Sequence, residues 1–220
     1  RQGHLPADVL RYHLQPLVRV PQIAMFGAGS NHTETYALPL SATAPTSWVQ
    51  LHDSHAELAR VVLRNERELM LTGSWGDRRS WTLWTRDGAQ RKGPLFPKTL
   101  VFYSAAQLGA LSVVCGGASF DGRYCGTTLL LPPDVDGWAE WKSAADMNVA
   151  RANTDAVAVT GCGGARLLIA GGSSGSTTHD SAELYDAVAD RWTLLRDVRL
   201  PQPICCRAVS IAAGAALAMQ

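Results

Sequence analysis

Side-chain catalysis needs nucleophiles, bases or metal ligands in register, and this 220-residue chain offers few. The densest run is His52-Asp53-Ser54-His55. It holds the atoms of a nucleophile, a base and a metal ligand. A catalytic triad is a spatial arrangement, however, and four consecutive residues cannot form one among themselves. The run follows Trp48 and precedes the apolar segment 59–63, so it reads as an exposed connection between strands. His32 and His179 each lie just beyond a glycine turn, where a lone histidine is most often simply solvated. The cysteines, Cys115, Cys125, Cys162, Cys205 and Cys206, are odd in number and follow no zinc spacing. Most stand in apolar strand contexts, where cysteine acts as a small buried hydrophobe, and this usage favours a reducing compartment. Asn31-His32-Thr33 fits a glycosylation acceptor, a three-residue pattern that arises often by chance. No pair of carboxylates announces glycoside chemistry. The expectation is a protein without catalytic residues, bound metal or cofactor.

The elements that must position any site are short strands. Residues 167–170 form an apolar run that stops at Gly171-Gly172. Such a run suits a buried strand, and paired glycines let the backbone turn with positive φ. A polar loop, 173–180, leads to the alternating segment 181–186. There Ala182, Leu184 and Asp186 share one face, and Glu183 and Tyr185 the other. A turn then leads to Trp192, a large ring able to pack between sheets.

The pattern recurs. Residues 110–115 run into Gly116-Gly117, then a polar loop that includes 126–131, then Trp138. Residues 69–72 end at Gly73, with Trp84 in the place of the tyrosine. Residues 23–26 end at Gly27-Ala28-Gly29, followed by Tyr36 and Trp48. From Gly29, Gly117 and Gly172 to the tryptophan is 19, 21 and 20 residues, and the glycines recur at intervals of 44 to 55. An apolar arm at 59–63, 99–105 and 155–160 precedes each later glycine, so each unit reads as four strands.

These units resemble the kelch repeat, whose period is about 50 residues. The motif positions are Gly73, Gly116, Gly117, Gly171, Gly172, Tyr36, Tyr185, Trp48, Trp138 and Trp192. The resemblance implies an all-β kelch-like β-propeller with four four-stranded blades, at about 23–51, 58–97, 98–145 and 151–197, and the start of a fifth at 204–220. The fourth unit matches best; the second lacks a closing tryptophan and the first has a broken diglycine. No Trp-Asp dipeptide closes a repeat as in the rival WD40 pattern. An open blade leaves strand edges exposed. Either the residues are a partial ring, which is favoured, or the segment 1–22, with strands at 9–13 and 17–20, completes the fifth blade.

The family implication for function is a non-catalytic protein–protein interaction scaffold, a subunit or adaptor in a larger complex. Two alternatives follow from the same resemblance. One is a copper-radical oxidase like galactose or glyoxal oxidase, for which Tyr124-Cys125 has the atom types but no second tyrosine with paired histidines maps. The other is a ubiquitin-ligase substrate receptor, whose BTB or F-box domain would lie outside these residues. Charge adds a surface. Between Arg60 and Lys98 nine bases face four acids; between Thr99 and Asp190 ten acids face four bases. Neighbouring blades then present opposite potentials. The loops after the glycine turns should gather on one face, with Arg78, Arg79, Asp121, Arg123, His179 and Asp180 as contact residues. An acidic partner would engage the second unit and a basic one the third and fourth. Direct nucleic-acid binding through the 60–98 region ranks well behind protein binding, because no stacking aromatics accompany the arginines. No run is long and apolar enough to span a bilayer. An intracellular, cytoplasmic or cytoskeletal location is expected, with organelle import left open.

Overall fold

The computed structural model describes residues 22–28, 33–39, 49–54, 60–65, 68–72, 79, 81–85, 90–133, 140–161, 164–205, 207–211 and 215–219. Among the described residues the chain is all-β, and every strand pairing is antiparallel. Among them there is no helix long and apolar enough to cross a membrane. Two compact units divide the chain, residues 1–93 and 94–220.

In the first unit, β1 (Gln22–Ala28), β2 (Thr33–Pro39) and β3 (Val49–Ser54) form a three-stranded meander. The strands expected at 9–13 and 17–20, as the alternative completion of the fifth blade, lie outside the described residues. His52 and Asp53 are strand residues of β3, opposite Thr35 and Glu34, and not part of a connection. Val49 and Leu51 give the strand its start, and pairing with β2 carries extended backbone on through the polar residues. The next sheet runs β4 (Arg60–Asn65), β5 (Glu68–Thr72), β6 (Trp81–Thr85), β7 (Gln90–Lys92), in sequence order. Trp81 and Leu83, two residues apart on β6, are both buried. Gly93 donates to the Trp81 carbonyl at 3.2 Å, and a Cβ on Gly93 would fall inside the Trp81 indole. The glycine found where a closing tryptophan is absent thus makes room for an indole from the neighbouring strand.

The second unit opens with β8 (Ser104–Leu108), β9 (Leu111–Cys115), β10 (Thr128–Leu131) and β11 (Lys142–Ala144), again a four-stranded meander. Residues 128–131, expected in a polar loop, form β10 instead, with Leu129 and Leu131 buried. Their three leucines pair with β9, whose Val113, Val114 and Cys115 have no exposed surface. Burial on both faces removes the polar alternation that marks a half-exposed strand.

Next come β12 (Ala156–Gly161) and β13 (Gly164–Ala170), a small hairpin of β14 (Ser173–Ser174) and β15 (Thr177–Thr178), then β16 (Ser181–Asp186) and β17 (Arg191–Arg199). The main sheet has order β12-β13-β16-β17. A last hairpin pairs β18 (Arg207–Ile211) with β19 (Ala215–Met219). β12 lies against β8, and β18 and β19 lie against β12. The core between the third and fourth sheets holds Leu108, Val113, Cys115, Met147, Leu167, Ile169, Tyr185 and Trp192.

Trp192 stands opposite Tyr185, ring centroids 5.1 Å apart, and its indole N–H donates to Thr128 Oγ1 at 3.0 Å. The edge strand of one sheet is thereby tied to the sheet before it. Trp138, the expected counterpart, lies outside the described residues. Leu130 pairs with Lys142, so the corresponding place one step along the ladder, opposite Leu131, falls to Trp141. Trp141 is buried with its ring 4.7 Å from Phe96, which meets Tyr103 edge-on at 5.7 Å.

Candidate functional site

The loops of the second unit depart from diglycine turns, and the turns dictate what those loops can do. Gly116 and Gly117 have φ of 70° and 94°, Gly171 and Gly172 of 69° and 84°. Consecutive residues at positive φ are readily adopted only by glycine. Space forbids a side chain as well: a Cβ on Gly117 would sit 2.6 Å from the Val101 carbonyl oxygen, and one on Gly172 2.7 Å from that of Ala152. Gly73 lies outside the described residues.

Around both turns the same backbone hydrogen bonds repeat. Gly116 N–H donates to Thr127 (2.8 Å) and Gly171 to Ser181 (3.1 Å). Cys125 donates to Gly117 (3.0 Å) and His179 to Gly172 (2.8 Å). Gly117 donates to Arg151 (2.8 Å) and Gly172 to Ile204 (2.8 Å). Val101 and Ala118 exchange bonds, as Ala152 and Ser173 do, and the residues that follow, Phe102 and Asn153, share φ near 57° and 56°. Loops 118–125 and 173–180 therefore leave equivalent positions, each fastened at root and return.

Beneath the second loop lies a buried polar cluster that the sequence reading missed. Arg151 and Glu183 have fully buried side chains joined at 3.0 Å. Arg151 Nη1 also donates to the carbonyls of Gly171 (2.8 Å) and Ser181 (2.9 Å), while its own carbonyl receives Gly117 N–H. Glu183 accepts from the N–H groups of Asn148 (2.8 Å) and Val149 (3.0 Å). Burial pulls the Arg151 pKa down, and the Glu183 carboxylate opposes that pull. One arginine thus ties both diglycine turns together. The available signal was the strand alternation: a core-facing Tyr185 puts Glu183 inside on the same face.

The expected contact residues divide between the two units. Arg79, in the first unit, is exposed in a turn, and Arg78 is outside the described residues. Asp121 and Arg123 are exposed and pair with each other at 3.3 Å. A hydrogen bond from the Ser119 hydroxyl, above all, holds the Asp121 carboxyl below its ordinary range. Asp180 pairs with Arg199 at 2.7 Å. His179 is half-buried, its Nε2 2.9 Å from Ser174 Oγ. Within the second unit the acidic groups expected to greet a partner are already ion-paired, Asp121 with Arg123 and Asp180 with Arg199, and the most exposed large apolar side chain on loop 118–125 is Phe120.

Two of the thiols are quiet. Burial pushes Cys115 up to about 12, so it stays protonated at neutral pH. The Cys125 thiol donates to the Gly117 carbonyl at 3.4 Å, and its pKa is raised, mainly by burial. Among the described residues no three His, Cys, Asp or Glu side chains converge as metal ligands would. No protein-family model matches the chain, and no curated protein matches it.

Proposed function

We propose that the chain is a kelch-like β-propeller, whole or partial, acting as a non-catalytic scaffold that binds other proteins within a larger assembly. The observation that carries this reading is the repeated diglycine turn with its matched hydrogen bonds, which presents loops 118–125 and 173–180 from equivalent, rigid anchors. Loops on a fixed sheet scaffold are where binding residues concentrate. A loop already tied at both ends loses little conformational freedom on binding. The packing of β12 on β8 and of β18 on β12 supports successive blades. Free thiols at Cys115, Cys125 and Cys205 go with a reducing, intracellular location.

The test is affinity purification of the tagged chain from its native cells, with Asp121→Lys and Asp180→Lys combined. Both residues are surface ion-pair members, and such pairs contribute little to stability. The double variant is expected to keep its melting temperature and lose its co-purifying proteins. Unchanged recovery of those proteins, with the loops altered, would mean that this face is idle.

A further inference from the structure

His179 is the point where the second loop is fastened down. Its N–H donates to Gly172 O at 2.8 Å and its carbonyl accepts from Ile204 N–H at 3.3 Å. Its ring Nε2 meets Ser174 Oγ at 2.9 Å, reaching across to the opposite strand of the β14–β15 hairpin. The half-buried ring faces charge from several elements. Arg151, in the segment before β12, disfavours the charged ring, whereas Asp180 in the loop itself, the Ala150 carbonyl and Glu183 on β16 favour it. Both carboxylates are already engaged, Glu183 with Arg151 and Asp180 with Arg199. We propose that His179 is a pH-sensitive latch on this loop: the neutral ring holds residues 173–178 against Gly172 and Ile204, and protonation loosens them. The inference rests on reading this face as an interaction surface and adds its regulation.

In the tautomer whose Nε2 accepts from the Ser174 hydroxyl, protonation removes that acceptor and the hydroxyl must turn round. It also sets a second cation toward Arg151 in a partly dehydrated place. Glu183, Asp180 and the Ala150 carbonyl favour the charged ring, but burial first and Arg151 second outweigh them, and the His179 pKa is held below its ordinary value. In the released loop the ring titrates at the ordinary histidine value, about 6.5. Between those two values the released state binds more protons than the latched one. The latch therefore keeps its full strength above the ordinary histidine range, weakens as pH falls below it, and levels off below the latched pKa.

Hydrogen exchange of the full chain, corrected for intrinsic rates, reads this without any partner, so its outcome is independent of whether the face binds one. Peptides covering 172–180 should lose protection as pH drops below the histidine range, while those covering β9 and β13 hold theirs. His179→Gln should abolish that dependence. Equal protection at both pH values, or the same loss in the variant, would overturn the proposal. Should the variant fail to fold, an NMR titration of the native His179 ring decides: a pKa at or above the ordinary value contradicts the latch.

Discussion

Among the described residues of the second unit, Arg151 and Glu183 form an ion pair whose two side chains are both fully buried. A fully buried ion pair is not in itself a source of stability, because desolvating both charges offsets their attraction. Leaving one of them alone is a different matter. Glu183→Gln keeps the volume but strands the Arg151 cation and weakens the acceptor for Asn148 and Val149 N–H. We expect a loss of about 3–5 kcal/mol in denaturant unfolding. Replacing both residues by apolar ones should cost less than the sum of the singles, although the Gly171 and Ser181 carbonyls would lose their donor. A cost for the pair equal to that sum would mean the two charges act independently.

At the scale of elements, two features were legible in the sequence and two were not. The run that stops at Gly171-Gly172 and the alternating segment 181–186 read directly as β13, its turn and β16, because apolar runs bounded by glycine leave few alternatives. The β10 strand escaped notice because both its faces are covered and it follows a glycine. Trp141 was passed over for Trp138, since spacing counts residues and the sheet counts register. The turns give a sharp comparison. Gly172 and Gly175 both have positive φ, but a Cβ on Gly172 meets the Ala152 carbonyl while one on Gly175 meets nothing within 4 Å. Gly172→Ala should therefore lower the melting temperature clearly more than Gly175→Ala, whose cost is backbone strain alone, of order 1 kcal/mol. Equal effects in a thermal melt would remove the close approach from the account. Trp192→Ala, which deletes a core ring and its hydrogen bond to Thr128, should cost about 3–5 kcal/mol. An unchanged unfolding midpoint would show that the edge strand does not bind the two sheets together.

For the whole molecule, the recurring glycine-bounded strands and the kelch resemblance they carry pointed to an all-β chain, and the all-β part holds among the described residues. The contact surface was harder to foresee. Single residues such as Asp121 and Asp180 look available in sequence, but their pairing with Arg123 and Arg199 is set by loop closure, which no spacing rule encodes. The central claim is that the sheets are successive blades of one propeller. An experimentally determined structure of the chain tests it through a single operation, the superposition of residues 101–131 on 152–186. The account predicts a rotation about one axis, a whole-number fraction of a full turn, which applied once more carries β12 and β13 onto β18 and β19. A translation, or a β18–β19 hairpin stacked face to face on the fourth sheet as in a sandwich, would contradict it.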